Sequence, residues 1–129
     1  MNAPLTLAGR VGLSLIFIIS GWGKIAAYAG TQQYMESAGL PGGLLPLVIA
    51  LELGGGLAIL TGTFTRWIAL ALAAFSLASA AVFHANLGDA AQAINFWKNV
   101  AMAGGFLMLA AQGAGALSLD HLWARRRNA

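Results

Sequence analysis

The chain has 129 residues, of which 59% are hydrophobic and 9% are charged, and its mean hydropathy is +0.75. Soluble domains carry about 25% charged residues, so this composition excludes water as the solvent for most of the surface. Because there is no cysteine, the chain cannot supply a disulfide, an iron–sulfur cluster or a thiol nucleophile. We predict a single transmembrane domain over residues 1–129, in which any redox chemistry belongs to a bound cofactor or a partner.

The net charge of +3 does not indicate a nucleic-acid partner. Basic side chains stand singly except for Arg125, Arg126 and Arg127 near the C-terminus. No basic stripe is present for a phosphate backbone to follow, so nucleic-acid binding is excluded from the expected functions. The three arginines are interpreted first as an orientation signal, and second as a contact with anionic lipid.

Four segments are long and apolar enough to cross a bilayer, which takes about 20 residues. In chain order they cover about residues 7–27, 43–63, 67–86 and 94–113. The predicted fold class is therefore all-α, an integral membrane four-helix bundle that contacts the lipid bilayer.

An alternative interpretation of the first span is a cleaved secretory signal. Ala27-Tyr28-Ala29 is similar to a small-x-small cleavage site. However, the apolar run is long for a signal, and Lys24 lies within its last turn. We therefore favour a retained membrane helix.

The distribution of basic residues predicts the orientation. The connections at about residues 28–42 and 87–93 contain no Lys or Arg, whereas Arg10, Arg66 and the cluster at 125–127 fall on the opposite side. Since Lys and Arg are enriched in cytoplasmic loops, both termini are predicted to be cytoplasmic.

Two charged residues lie deep in the predicted spans. Glu52 is nine residues beyond Gly43, which places it about 13 Å into the second helix. Lys24 is fourteen residues beyond Arg10, or about 21 Å along the first helix. A charge at the centre of a membrane helix costs about 2.5 to 3.5 kcal/mol, so such residues usually face the protein interior.

The other two helices also carry titratable groups in the outer half of the membrane. His84 lies near the outer end of the third helix, and Lys98 lies about one turn inside the outer end of the fourth. We predict a site for ligand binding or proton handling formed by Lys24, Glu52, His84 and Lys98.

Each of these residues also has a structural interpretation. In this interpretation, Glu52 is purely an ion-pair partner of Lys24 or Lys98. A lysine near a helix end can extend to the interface without a function. His84 can bond to a loop carbonyl. His121 lies at the opposite end, which leaves too few ligands to predict a metal site.

Small residues accompany the polar ones. Gly55 and Gly56 follow Glu52 at helical spacing, Gly21 precedes Lys24, and Gly105 follows Lys98. Missing side chains let helices approach closely, so we assign Gly21, Gly55, Gly56 and Gly105 to helix packing.

Several short motifs occur in a fixed order along nearly the whole chain. They are Arg10, Ser20-Gly21-Trp22-Gly23-Lys24, Gly39-Leu40-Pro41, Glu52-Leu53-Gly54-Gly55-Gly56, Leu60-Thr61-Gly62-Thr63-Phe64-Thr65-Arg66, His84, Lys98 and Gly113-Ala114-Gly115-Ala116-Leu117-Ser118-Leu119-Asp120. Together they resemble the DoxX family of small four-helix membrane proteins. The resemblance implies a multi-pass protein of the inner (cytoplasmic) membrane. The family is named for a relative of a membrane subunit of thiosulfate:quinone oxidoreductase, and other members are associated with redox and sulfur stress.

Three hypotheses for function follow. The favoured one is a redox-associated subunit with a small-ligand, quinone-like pocket, in which the lysines and His84 bond ligand oxygens and Glu52 balances charge or relays a proton. The others are a small-molecule transporter or accessory, and a non-catalytic scaffold. The cofactor that the favoured hypothesis implies is a quinone, and enzymatic activity, if present, would be that of an oxidoreductase subunit. Other redox subunits or a second copy of the chain are left open as partners.

Overall fold

The computed structural model describes residues 2–127, which form helices and no β-strand. The second span, Gly42–Thr61, is a continuous helical rod that includes α3 and α4. The helices are α1 (Ala3–Ala26), α2 (Tyr28–Ser37), α3 (Leu45–Ile49), α4 (Gly55–Thr61), α5 (Thr65–Phe83), α6 (Ala90–Gln112) and α7 (Leu119–Arg127).

Local sequence signals account for the limits of the long helices. The Asn2 side chain caps α1 by accepting a hydrogen bond from Leu5 N at 3.2 Å, and Asp89 caps α6 by accepting from Ala91 N at 3.0 Å. Gly62 ends α4 in the left-handed conformation, with φ of 75°. These caps satisfy backbone groups that a helix end leaves free.

Three helices of the described chain have the length and hydropathy of membrane spans, namely α1, the second span and α5. The protein is therefore an all-α membrane protein, as the sequence predicted. With 23 residues, α6 is also long enough to span, but it carries Gln92, Lys98 and Asn99 in its first half. Its role as a fourth membrane span stays a prediction.

The helices pack in two pairs around an apolar core. The second span lies against α1, and α6 lies against α5. Phe17 of α1, Leu72 of α5 and Phe106 of α6 are buried in this core, where the Phe17 and Phe106 rings meet edge to face at 5.5 Å.

The Arg10 side chain connects the first half of α1 to residues 113–118 through hydrogen bonds. It is 1% exposed, and its two Nη atoms donate to Ala114 O at 3.2 Å and Leu117 O at 2.6 Å. A Cβ atom at Gly62 would overlap this guanidinium. The first residues of α1, the α4–α5 turn and α7 therefore meet at one end of the bundle, called here the terminal end. The membrane side that this end faces stays a prediction.

Asp120 fixes the turn between α4 and α5. Its carboxylate accepts hydrogen bonds from Phe64 N at 2.8 Å and Thr65 N at 2.9 Å, and its own amide donates to Gly62 O at 2.9 Å. Phe64 has a φ of 46°, which side-chain-bearing residues rarely adopt. The carboxylate thus holds a strained backbone in place.

The glycines assigned to helix packing lie at contacts between helices. The four are Gly21, Gly55, Gly56 and Gly105, and a Cβ at each would lie within 3.2 Å of an atom in another helical segment. At Gly56 that atom is Ile18 Cγ1, at 2.8 Å, with the Ile18 backbone nitrogen at 3.1 Å. A Cβ at Gly54, two residues before Gly56, would have nothing within 4 Å. Within the run at 54–56, a glycine therefore contacts another helix only where its position on the helix faces that neighbour.

Substitution of Gly56 by alanine is expected to lower the free energy of unfolding by about 1–3 kcal/mol, the usual cost of overpacking. The backbone of α1 blocks the new methyl group, so the two helices must separate. Gly54→Ala is the matched control and is expected to be neutral or to stabilise by up to about 1 kcal/mol, because alanine favours helix. Thermal unfolding in detergent micelles measures both. Equal midpoints for the two variants would contradict the packing assignment.

Candidate ligand-binding site

A cavity of about 410 Å³ lies at the opposite end of the bundle, which we call the cavity end. The end of α1, the second span, α2, α5 and α6 all contribute to its wall. The lining is mostly apolar and includes the aromatic rings of Phe17, Tyr34, Phe75 and Phe83. A cavity of this volume and character is typical of small-molecule sites.

Lys24 and Glu52 form an ion pair in the cavity wall. Lys24 Nζ lies 2.8 Å from Glu52 Oε1 and donates a hydrogen bond to Ser20 Oγ at 2.6 Å. The Glu52 side chain is 3% exposed, whereas that of Lys24 is 26% exposed. The carboxylate is thus embedded in protein, while the ammonium group also reaches the accessible space.

Glu52 lies at the centre of a π-helical segment, Ala50–Gly54. Such a segment is uncommon and occurs mostly as a single turn inserted in an α-helix, frequently at functional sites. The wider turn changes the direction of the side chains that follow it.

The helix α2 covers the cavity. Met35 is buried, and the Tyr34 ring stacks on Phe83 of α5 with centroids 5.1 Å apart and planes at 16°. Gln32 Nε2 donates to Gly42 O at 3.3 Å, which joins α2 to the start of the second span. The connection between the first two spans is therefore a structural part of the site.

The structure brings three of the four predicted site residues together. Lys24, Glu52 and His84 line the same cavity, and His84 lies directly after the last residue of α5. Lys98 does not line it: its side chain is exposed on α6, and the neighbouring Asn99 faces the cavity instead. The predicted pocket is therefore formed without Lys98.

Asn99 and Ser79 are polar lining residues that the sequence analysis did not single out. The buried residues of α6 are Ala103, Phe106 and Leu109. Residues three and four apart share a face of a helix, and Asn99 lies four residues before Ala103, whereas Lys98 lies five before it. This apolar period is the signal that identifies Asn99.

The arrangement suits a ligand with an apolar body and an oxygen acceptor. An ammonium group has three donors; that of Lys24 uses one for Ser20 Oγ and lies 2.8 Å from Glu52 Oε1, so a donor remains for a ligand. Ser79 and Asn99 add neutral hydrogen-bonding groups. The aromatic walls would hold a planar ring.

These features define a small all-α integral membrane protein whose helices line a ligand-sized cavity. The chain belongs to the DoxX family, whose profile matches residues 5–85. It is 53% identical over 116 residues to inner membrane protein YqjF of Escherichia coli, covering 90% of this chain and 89% of the relative. It is 43% identical over 123 residues to inner membrane protein YphA of the same organism, covering 90% and 88%. The protein is therefore a multi-pass inner membrane protein.

A more distant relative is "Putative oxidoreductase CatD" of Bacillus subtilis. The match is 35% identical over 68 residues and covers 53% of this chain and 51% of the relative. No solved structure matches the chain.

Proposed function

We propose that this DoxX-family protein is a redox-associated membrane subunit that binds a quinone-like ligand in the cavity. The observation that carries the proposal is the Lys24–Glu52 ion pair in the wall of a mostly apolar, aromatic-lined cavity within a membrane bundle. Intramembrane ionisable residues mark ligand or proton pathways by default. The name of CatD as an oxidoreductase supports the same class of chemistry.

The lining residues fit a quinone headgroup. A quinone presents a flat ring and two carbonyl oxygens that can only accept hydrogen bonds. The free donor of Lys24 and the Asn99 amide would bond these oxygens, while Phe75 and Phe83 would contact the ring. The volume of about 410 Å³ holds the ring and leaves a hydrophobic tail to extend toward lipid.

When bound, a quinone carries two electrons and two protons as it is reduced to the quinol. The electrons would come from a partner redox protein. The residues of this chain would hold the ring, exclude bulk water and exchange protons: Glu52 from within the wall, and His84 from the partly exposed end of α5. The chain thus acts as the quinone-binding subunit of the pair.

Ligand binding is tested with the full-length protein in detergent, titrated with a short-chain ubiquinone and followed by thermal shift. A ligand at a hundredfold excess over its Kd stabilises the folded state by about 2.7 kcal/mol. Asn99→Leu is expected to weaken binding at least tenfold, because it removes a hydrogen-bonding group and fills the cavity. Asn95→Leu, one turn earlier and exposed, is the matched control and should change Kd less than twofold.

Saturable binding lost in the Asn99 variant alone is the expected result. Absence of saturable binding by the unmodified protein would refute the quinone proposal. In that case, the Glu52→Gln variant separates the two other functions. A change in stability, with ligand binding and flux unchanged, would favour a scaffold. A fall in vesicle uptake or efflux with the same variant would favour a transporter.

A further inference from the structure

The terminal end carries a second recess, which the cavity-end function does not use. A groove of about 870 Å³ lies between the start of α5, the segment at 113–118 and α7. Three arginines line it: Arg66 from α5, and Arg126 and Arg127 from α7. We propose that this groove binds the phosphate headgroup of an anionic phospholipid.

The Arg66 guanidinium lies against the backbone at Gly113. A Cβ atom at Gly113 would lie 3.3 Å from Arg66 Nε and 3.4 Å from its Nη2, so the guanidinium rests directly on this glycine. Gly113 also has a φ of 83°, which other residues rarely adopt. The backbone conformation therefore favours glycine here, and the missing side chain leaves room for the guanidinium.

The arginines of the groove are available to an external anion. Within residues 2–127, the only ion pair is Lys24–Glu52, at the other end of the bundle. Asp120 also lines the groove, but both of its oxygens accept hydrogen bonds from the amides of Phe64 and Thr65. Guanidinium groups bind phosphate through paired N–H donors, so their convergence on one groove fits a phosphate ligand.

Aromatic residues place the groove at the depth of lipid headgroups. Trp67 and Trp123 line it and are 75% and 41% exposed. Phe64, which is 62% exposed, contacts Trp123 with ring centroids 5.8 Å apart. Aromatic side chains at the ends of membrane spans lie at the membrane–water interface. A phosphate bound between these rings would therefore be part of a membrane lipid rather than a free ion.

The test is a titration of the detergent-solubilised, full-length protein with phosphatidylglycerol, in which bound lipid is counted by native mass spectrometry. Phosphatidylcholine is the zwitterionic control lipid and should bind at least tenfold more weakly. Arg66→Gln and Arg126→Gln should each weaken phosphatidylglycerol binding about fivefold. The matched control is Arg125→Gln, because Arg125 is exposed on α7 but does not line the groove. It should change the affinity less than twofold.

Each other outcome overturns the proposal. An equal loss with Arg125→Gln would mean diffuse charge attraction in place of a site, and no loss with Arg126→Gln would exclude the groove. Displacement of the lipid by millimolar inorganic phosphate would identify a site for soluble phosphate. If Arg66→Gln fails to fold, the Arg126→Gln/Arg127→Gln variant, confined to α7, gives the same comparison. Ubiquinone binding should be unchanged in these variants, since the two sites lie at opposite ends.

Discussion

Replacement of Lys24 by methionine is expected to lower the free energy of unfolding by about 3 kcal/mol. Removing one member of a buried ion pair leaves an uncompensated charge, at a cost of about 3–5 kcal/mol. We expect the low end of that range, because the lysine is 26% exposed and the lost attraction is partly screened. Chemical or thermal unfolding in detergent micelles measures the difference.

Two comparisons make this prediction specific. The double variant Lys24→Met/Glu52→Gln should recover most of the lost stability, because it removes the orphaned carboxylate as well. Lys98→Met changes an exposed lysine on α6 and should shift stability by less than about 0.5 kcal/mol. If Lys24→Met and Lys98→Met were equally mild, the ion pair would not be a structural determinant of the cavity wall.

Replacement of Arg10 by methionine is expected to destabilise the terminal end by about 3 kcal/mol. The variant retains an apolar side chain of similar length but loses two hydrogen bonds from a charged donor, each worth about 1.5–3 kcal/mol. Ala114 O would be left buried without this donor, and the segment at 113–118 would lose its attachment to α1. Limited proteolysis should therefore cut this segment and α7 faster than in the unmodified protein.

The control for Arg10 is Arg125→Met, which removes an exposed arginine from α7 and should leave the proteolysis rate unchanged. Arg10→Lys should be intermediate, since an ammonium group cannot match the fork of a guanidinium that reaches two carbonyls. Equal cleavage rates for Arg10→Met and Arg125→Met would show that the segment is held by other contacts.

Much of the fold follows from local properties of the sequence. Hydropathy and segment length were sufficient to predict an all-α membrane protein, because the bilayer requires about 20 apolar residues in each span. The isolated carboxylate of Glu52 within such a segment predicted that this side chain faces protein, and it is 2% exposed. Gly55 and Gly56, which the sequence assigned to packing, face two different helices, with Leu72 of α5 beside Gly55 and Ile18 of α1 beside Gly56.

Other features depend on several segments at once. Arg10 was interpreted as an orientation signal, yet its side chain is buried against carbonyls more than 100 residues away in the chain. The helix α2 was treated as a connection, and its covering of the cavity depends on the Tyr34–Phe83 stack with α5. Neither contact can be predicted from a local pattern in the sequence, because each joins segments that are distant in the chain.

Hydropathy and segment length along the chain predict the membrane environment of this protein and its helical class, because both are properties of one segment at a time. Packing between the helices sets which polar groups face one another. Successive residues on an α-helix differ in direction by about 100°, so the packing of α6 against α5 turns Asn99 into the cavity and leaves Lys98 outside it. The rotation of a helix about its axis is set by its neighbours, and the composition of that helix alone does not fix it.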